Sequence, residues 1–408
     1  MSNENLNEML ELVIKAIDKL SEPPREMLKK EFIKIKELFM DNRPPRILIL
    51  GRRGAGKSSL INAIFNQKCA KVGSVLSQTG QAEWYSFENH KGSMHILDTR
   101  GMGDRTKPES ANFKEALEDI KNEVRNICPD AILFLCKAKE VDSHVTEDIL
   151  NVKKIKKFIS EVHGYETPAV GLVTQVDELD PKRVEPPYEN PVKQTNIRIA
   201  VNALQNTLNG SEINLLKIIP VSTYAEYDNG NRTYDNYWNI DLLLNYLVEV
   251  LPKTAQIQLA RLSSLKKTQR KVSRVLVGSA ATICSGIATT PIPLADVIPI
   301  TATQISMITG IAYISGRELS KESAKEFFVA LGANVGTGFA LREVARALGK
   351  IVFPGGGHLI SAGVAFAGTW GIGEAAIAYF VENSSIEEAK IKFKNTYKKS
   401  EKEYEERA

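Results

Sequence analysis

Eight consecutive residues, Gly51-Arg52-Arg53-Gly54-Ala55-Gly56-Lys57-Ser58, have the types and spacing to hold a chain of phosphates. Three glycines let backbone N–H groups close around anionic oxygens, and a helix starting at this point adds the positive end of its dipole. Lys57 is placed to reach β- and γ-phosphates, and the hydroxyl of Ser58, with Ser59 beside it, is placed to ligate Mg²⁺. The apolar run Arg46–Leu50 ahead reads as a buried strand, and Ser59–Phe65 behind reads as an amphipathic helix. That strand–loop–helix order is the context the chemistry needs.

Further groups follow in the order a nucleotide requires. In Ser77-Gln78-Thr79-Gly80, Thr79 is the candidate to touch Mg²⁺ and the γ-phosphate, with Ser77 as the alternative. In Asp98-Thr99-Arg100-Gly101, Asp98 leaves a strand and suits the shell of the Mg²⁺ ion, while the Gly101 N–H suits the γ-phosphate. The base is addressed by Thr174-Gln175-Val176-Asp177. A carboxylate at Asp177 accepts both the N1 and N2 protons of guanine, a donor pair that adenine lacks, so GTP and GDP are expected rather than ATP. Gln175 stands where a lysine usually stacks on such a base. Ser222-Thr223, after another strand, is expected to present a backbone N–H to guanine O6.

Hydrolysis is the less complete part of the set. After Gly101 comes Met102, which cannot orient an attacking water as a glutamine does. Slow turnover is therefore expected until a dimer or another partner stimulates it. Arg52, Arg53 and Arg100 are arginines near the phosphates; of these, Arg53 is the candidate to be moved inward by dimerisation across the nucleotide face. The competing reading is an arginine facing solvent or a partner. The catalytic set expected from sequence is thus Lys57, Thr79, Gly101 and Arg53.

Positioning these groups requires strands alternating with helices. Apolar segments at Arg46–Leu50, Glu83–Phe87, Met94–Leu97, Ala131–Cys136, Ala169–Thr174 and Lys217–Val221, with helical patterns between most of them, predict an α/β fold. The sheet is expected to have six mainly parallel strands covered on both faces, with ligands bound beyond the carboxyl ends. Residues 1–44 carry two helical periodicities broken at Pro23-Pro24, residues 45–252 carry the nucleotide motifs, and residues 253–408 form an all-α region. That last region opens with a basic helix over 255–274 and continues into 275–316, forty-two residues whose only formal charge is Asp296. The tract is long enough for two bilayer passes of about 20 residues each. Its many threonines and serines favour a soluble, conditionally exposed hairpin instead. The basic helix is expected to attract anionic lipid. The terminal helices, each with one apolar face, are expected to pack together.

Composition narrows the setting. A chain of 408 residues with net charge +4 is too weakly basic to point to nucleic acid. Cys69, Cys128, Cys136 and Cys284 have no paired or metal-ligand spacing, and the polar start at Met1-Ser2-Asn3-Glu4 lacks the apolar core of a signal peptide. The expected location is the cytoplasm, with peripheral attachment to a membrane as an alternative.

The ordered motifs between residues 45 and 252 resemble the Era-like GTPases of the TrmE–Era–septin class, and Thr174-Gln175-Val176-Asp177 looks like its YfjP/YeeP branch. That resemblance implies guanine-nucleotide binding and Mg²⁺-dependent GTP hydrolysis. Pro291-Ile292-Pro293-Leu294-Ala295-Asp296-Val297 and Gly368-Thr369-Trp370-Gly371-Ile372-Gly373 resemble a YcjF-like domain of unknown function. The layout is similar to immunity-related and dynamin-like GTPases, which implies a helical domain for membrane association or for a homodimer and higher self-assembly. The alternatives are an Era-like ribosome or RNA assembly GTPase and a nucleotide-dependent scaffold with little hydrolysis. The apolar, glycine-rich C-terminal region argues against nucleic acid.

Overall fold

Strand β1 (Arg46–Gly51) is buried from Ile47 onward, as a strand with sheet neighbours on both edges and helices on both faces must be. In the computed structural model the described residues are 3–20, 22, 24–39, 42–66, 68, 74–76, 82–89, 92–99, 109–141, 145–209, 217–263, 265–289, 297–317, 324, 326–327, 330–331 and 362–406. The chain divides into two compact units, residues 44–263 and residues 1–43 with 264–408.

In the first unit the order after β1 is α3 (Lys57–Phe65), β2 (Ser74–Leu76), β3 (Ala82–Asn89), β4 (Gly92–Thr99), α4 (Glu109–Asn126), β5 (Ala131–Lys137), α5 (Val145–His163) and β6 (Ala169–Thr174). Then come α6 (Pro191–Asn209), β7 (Lys217–Pro220), a hairpin of β8 (Ala225–Asp228) and β9 (Asn231–Asp235), α7 (Ile240–Val250) and α8 (Lys253–Ser263). Helices α1 (Asn3–Asp18) and α2 (Pro24–Phe39) precede β1 and belong to the other unit.

The main sheet has the strand order β2-β3-β4-β1-β5-β6-β7. All six expected strands are present, and the short edge strand β2 adds a seventh. Strands β4, β1, β5, β6 and β7 are parallel, while β3 runs antiparallel to β4 and β2 to β3. The chain leaves β1 for its β4 side and later returns to its β5 side, so the order reverses at β1. Ligands in such sheets bind beyond the carboxyl ends at that reversal, which is where Gly51 hands over to the glycine-rich loop. One face of the sheet is covered by a core in which Leu48, Leu50, Trp84 and Phe134 meet Ile120, Ile149 and Leu204 of α4, α5 and α6. Helix α8 lies against β4 and α7, and it comes close at Gly92, where a Cβ would lie 2.6 Å from Gln258 Oε1. The sheet unit therefore extends past the expected boundary at 252 to residue 263.

In the second unit, α9 (Lys266–Ile287) and α10 (Val297–Ile314) are followed by α11 (Ala362–Ala376), a π-helical turn (Ile377–Val381) and α12 (Ile386–Glu405). Helix α9 is central: α2, α10 and α11 all pack on it, α1 packs on α10, and α12 on α11. The apolar faces of α1 and α2, with Val13, Ile17, Leu28 and Ile35, are buried here. Small residues set the spacing. A Cβ on Gly286 would lie 2.3 Å from Leu28 Cδ1, and one on Gly373 would lie 2.4 Å from Val277 Cγ2.

Two expectations about this unit change. The basic helix expected over 255–274 is two helices, α8 and α9, in different units. Three of its basic residues on α9 have partners in this unit: Lys266 Nζ donates to the Glu382 carbonyl (3.0 Å), Arg270 pairs with Glu382, and Arg274 makes a double contact with Glu374 at 2.7 and 3.0 Å. These three lie at every fourth position along α9, on the side that meets α11 and its π turn. The main contacts of the two chain ends are with different partners, α1 and α2 with α10 and α9, and α12 with α11, rather than with one another. Among the described residues, the helix long and apolar enough to cross a bilayer is 362–381, with 78% of its most apolar window buried; residues 290–296 of the expected hairpin lie outside the described residues.

Candidate functional site

The loop between β1 and α3 has the geometry of a phosphate cradle. Gly54 (φ 78°) and Gly56 (φ 90°) take left-handed conformations that side chains disfavour, and Gly56 ends the turn where α3 begins. A Cβ on Gly51 would lie 2.8 Å from the Leu135 carbonyl, so β1 approaches β5 closely at the loop's root. Ala55 is buried, while Arg53, Gly54, Ser58 and Ser59 are exposed along the open rim. Lys57 Nζ donates to the carbonyls of Gly51 (2.9 Å) and Arg52 (3.4 Å), folded over the loop it would share with phosphate oxygens.

The segment 174–177, expected from sequence to meet the base, is tied to this loop. At the end of β6, Thr174 Oγ1 donates to Ala55 O (2.9 Å) and Cys136 O (3.3 Å). Gln175, in a left-handed conformation (φ 59°), donates from Nε2 to Gly54 O at 2.7 Å. Its amide therefore braces the phosphate loop. The next strand end completes the frame. Ser222 Oγ donates to Asp177 Oδ1 (2.9 Å), and Thr223 Oγ1 would lie 3.7 Å from a Cβ on Gly56. The Ser222 backbone N–H donates to Trp238 O (3.3 Å), so the amide expected to reach guanine O6 is not that of Ser222. Its hydroxyl instead holds the Asp177 carboxylate.

Gly51, Arg52, Arg53, Gly54, Ala55, Gly56, Lys57, Ser58, Thr174, Gln175, Asp177, Ser222 and Thr223 thus converge on the carboxyl ends of β1, β6 and β7. Asp98 sits in β4 opposite Ile49 of β1, one strand from the loop. Ser77, Thr79, Arg100, Gly101 and Met102 lie outside the described residues.

The two loop arginines are not equivalent. Arg52 is paired with Asp148 in the first turn of α5, Nε to Oδ2 at 2.8 Å and Nη2 to Oδ1 at 3.4 Å. The Asp148 side chain is 5% exposed, so this guanidinium answers a buried charge on the protein's own helix. Arg53, next to it, is exposed.

Asp148 and a buried lysine, Lys193, were not singled out from sequence. Each sits in an ordinary charged first turn of a helix, and only the fold brings it to the site. Among the described residues there is no cluster of histidine, cysteine and carboxylate suited to a metal. Cys284 lies in the helical core, where burial pushes its thiol up to about 12.

These residues fit a guanine nucleotide with Mg²⁺: a glycine cradle with a lysine, and a carboxylate oriented by a hydroxyl. Residues 46–170 match the family described as 50S ribosome-binding GTPase, and residues 254–403 match a domain of unknown function, DUF697. Over 133 residues the chain is 29% identical to the tRNA modification GTPase MnmE of Mycoplasma genitalium, covering 32% of this chain and 28% of that protein. Over 110 residues it is 33% identical to the probable GTP-binding protein EngB of Wolbachia pipientis, covering 26% of this chain and 56% of that one. The chain thus spans about a quarter to a half of these relatives' lengths. Among solved structures, Toc33 of Arabidopsis thaliana in complex with GDP and Mg²⁺ aligns over 56% of this chain and 93% of its own, at 19% identity and a TM-score of 0.34.

Proposed function

We propose that this protein, an Era-like GTPase whose G domain is joined to a DUF697 domain, is a GTP-hydrolysing switch whose output lies in the helical unit. The observation that carries this reading is the bracing of the phosphate loop by the base-selecting segment, through Thr174 to Ala55 and Gln175 to Gly54. Base recognition and phosphate recognition then share one rigid frame.

In this reading Gly54–Ser58 enclose the phosphates, and Lys57 exchanges the Gly51 and Arg52 carbonyls for phosphate oxygens. Asp177, oriented by Ser222, accepts the N1 and N2 protons of guanine. Ser58 and Asp98 would hold Mg²⁺, which neutralises charge on the β- and γ-phosphates when bound. With Met102 in the water-orienting place, basal turnover is slow. Arg53, exposed on the open rim of the loop, is the arginine assigned to a second copy.

GTP turnover per molecule, measured across a range of protein concentrations, tests this directly. A rise with concentration that is lost in R53A supports self-association across the nucleotide face. A flat profile rejects it, and K57A retaining wild-type GTP affinity would reject the site itself. A membrane role draws on the apolar helix 362–381, which would have to leave its bundle to enter lipid. Flotation with anionic liposomes, compared between a non-hydrolysable GTP analogue and GDP, decides it: no binding in either state ends that reading.

A further inference from the structure

Lys193, in the first turn of α6, is fully buried despite its charge. Its ammonium donates to the carbonyl oxygens of Asp177 (2.8 Å) and Leu179 (2.5 Å) and lies 5.1 Å from the centroid of the Tyr188 ring. Burial of a cation is costly unless its protons find acceptors, and an apolar side chain would fill the same space more cheaply. Burial lowers the Lys193 pKa, while the carboxylates of Asp177 and Asp180 hold it up.

The surroundings fix this lysine from several sides. Asn190 Oδ1 accepts from the backbone N–H of Val192 (3.0 Å) and Lys193 (3.1 Å), capping the helix that carries it. One turn on, Asn196 Nδ2 donates to the Asp180 carbonyl at 2.8 Å. Tyr188, buried in a left-handed conformation (φ 58°), meets Trp238 edge-on at 5.1 Å. Three carbonyls of the segment following Gln175, those of residues 177, 179 and 180, are therefore held by α6. On the opposite side the Asp177 carboxylate receives the Ser222 hydroxyl.

We propose that Lys193 is a positioning residue for base recognition, fixing the Asp177 main chain so that its carboxylate reads both ring protons of a 2-amino-6-oxopurine nucleotide. The proposal rests on the guanine-binding reading above. A carboxylate must present two oxygens in the plane of the base to accept N1–H and N2–H together. If its main chain is loosened, the second bond is lost first. Hypoxanthine lacks the N2 amine, so preference for guanine over hypoxanthine measures the quality of this orientation.

The experiment uses the full chain and measures GDP and IDP affinities for wild type, K193M and N196A. Inorganic tripolyphosphate serves as a probe without a base. Wild type is expected to prefer GDP. In K193M, GDP affinity falls by about tenfold and the GDP/IDP preference collapses, the loss of one charge-assisted hydrogen bond. Tripolyphosphate affinity stays within about twofold, since the phosphate loop keeps its own braces. A K193M protein with wild-type GDP/IDP preference overturns the proposal. Should K193M not fold, N196A decides: a preference reduced about two- to threefold supports the clamp, and an unchanged preference overturns it. A wild type with no GDP/IDP preference instead overturns the assignment of Asp177 to the base, a different failure.

Discussion

Ser222 Oγ donates a 2.9 Å hydrogen bond to Asp177 Oδ1, linking the chain ends beyond two neighbouring strands, β7 and β6. A carboxylate free to rotate would meet the base in many orientations; this one is held in a single orientation before the base arrives. D177N removes an acceptor and adds a donor, so guanine loses one partner and meets a repelling N–H. GDP affinity is expected to fall by about 100-fold, from one lost charge-assisted bond, the lost charge on the other and the repulsive N–H. Xanthine, with a carbonyl at position 2, is expected to regain binding. S222A leaves the charge and removes only the orienting hydroxyl, so a loss of about three- to tenfold is expected. Calorimetric titration with GDP and XDP checks all three.

The pairing of Arg52 with Asp148 is asymmetric, because Asp148 is buried (5% exposed) and Arg52 is partly open to water (30%). R52A strips a buried carboxylate of its guanidinium and is expected to cost about 1–3 kcal/mol. D148N keeps shape and hydrogen-bonding capacity, while the arginine turns to solvent, so about 1 kcal/mol or less is expected. Urea unfolding of both variants checks the order. Equal losses would show that the burial of Asp148 does not set the cost.

Helix α11 packs tightly on α9 at Gly373 and Val277. A Cβ at residue 373 would lie 2.4 and 2.6 Å from the two Val277 methyls. G373A is expected to destabilise by about 1–3 kcal/mol through overpacking. V277A alone also destabilises, by creating a cavity. Combined, the two are expected to be less harmful than their sum, and a double-mutant cycle by thermal unfolding reads that coupling. Strict additivity would mean that the helices simply move apart.

Glu123 on α4 is buried, and its Oε2 has no hydrogen-bond partner among the described residues. Burial raises its pKa, with the Glu83 and Asp119 carboxylates adding to the effect. The folded protein therefore binds this proton more tightly than the unfolded chain, and Glu123 costs stability as pH rises through its folded pKa. E123Q is expected to be more stable than wild type at pH 7, with the difference shrinking to nothing below about pH 4.5. Denaturant melts of both proteins from pH 4 to 7.5 check this. A constant difference across that range would mean that Glu123 does not titrate there.

Local chemistry was readable in the chain itself. The Gly54, Gly56, Lys57 and Ser58 pattern needs only a strand before it and a helix after it, and both are written in local periodicity. The same holds for Asp177 at the end of an apolar strand, for the six main strands, and for the apolar faces of α1 and α2. Each of these is specified within one or two turns of chain. The basic run on α9 was equally visible, but its purpose was not, since Glu374 and Glu382 lie about a hundred residues further on.

Sequence alone therefore marked out a candidate phosphate loop, a candidate guanine-reading carboxylate and a second, helical region. Tertiary structure decided how those parts are held. It turned Arg52 to Asp148, bound Gln175 to the Gly54 carbonyl, gave the Ser222 hydroxyl to Asp177, and brought Lys193 under the carbonyls of Asp177 and Leu179. These are bonds between residues 14 to 121 positions apart. No local pattern encodes which distant partner a charge or an amide will meet. Folding decides it, because polar groups removed from water take the acceptors that the packed strands and helices place within reach.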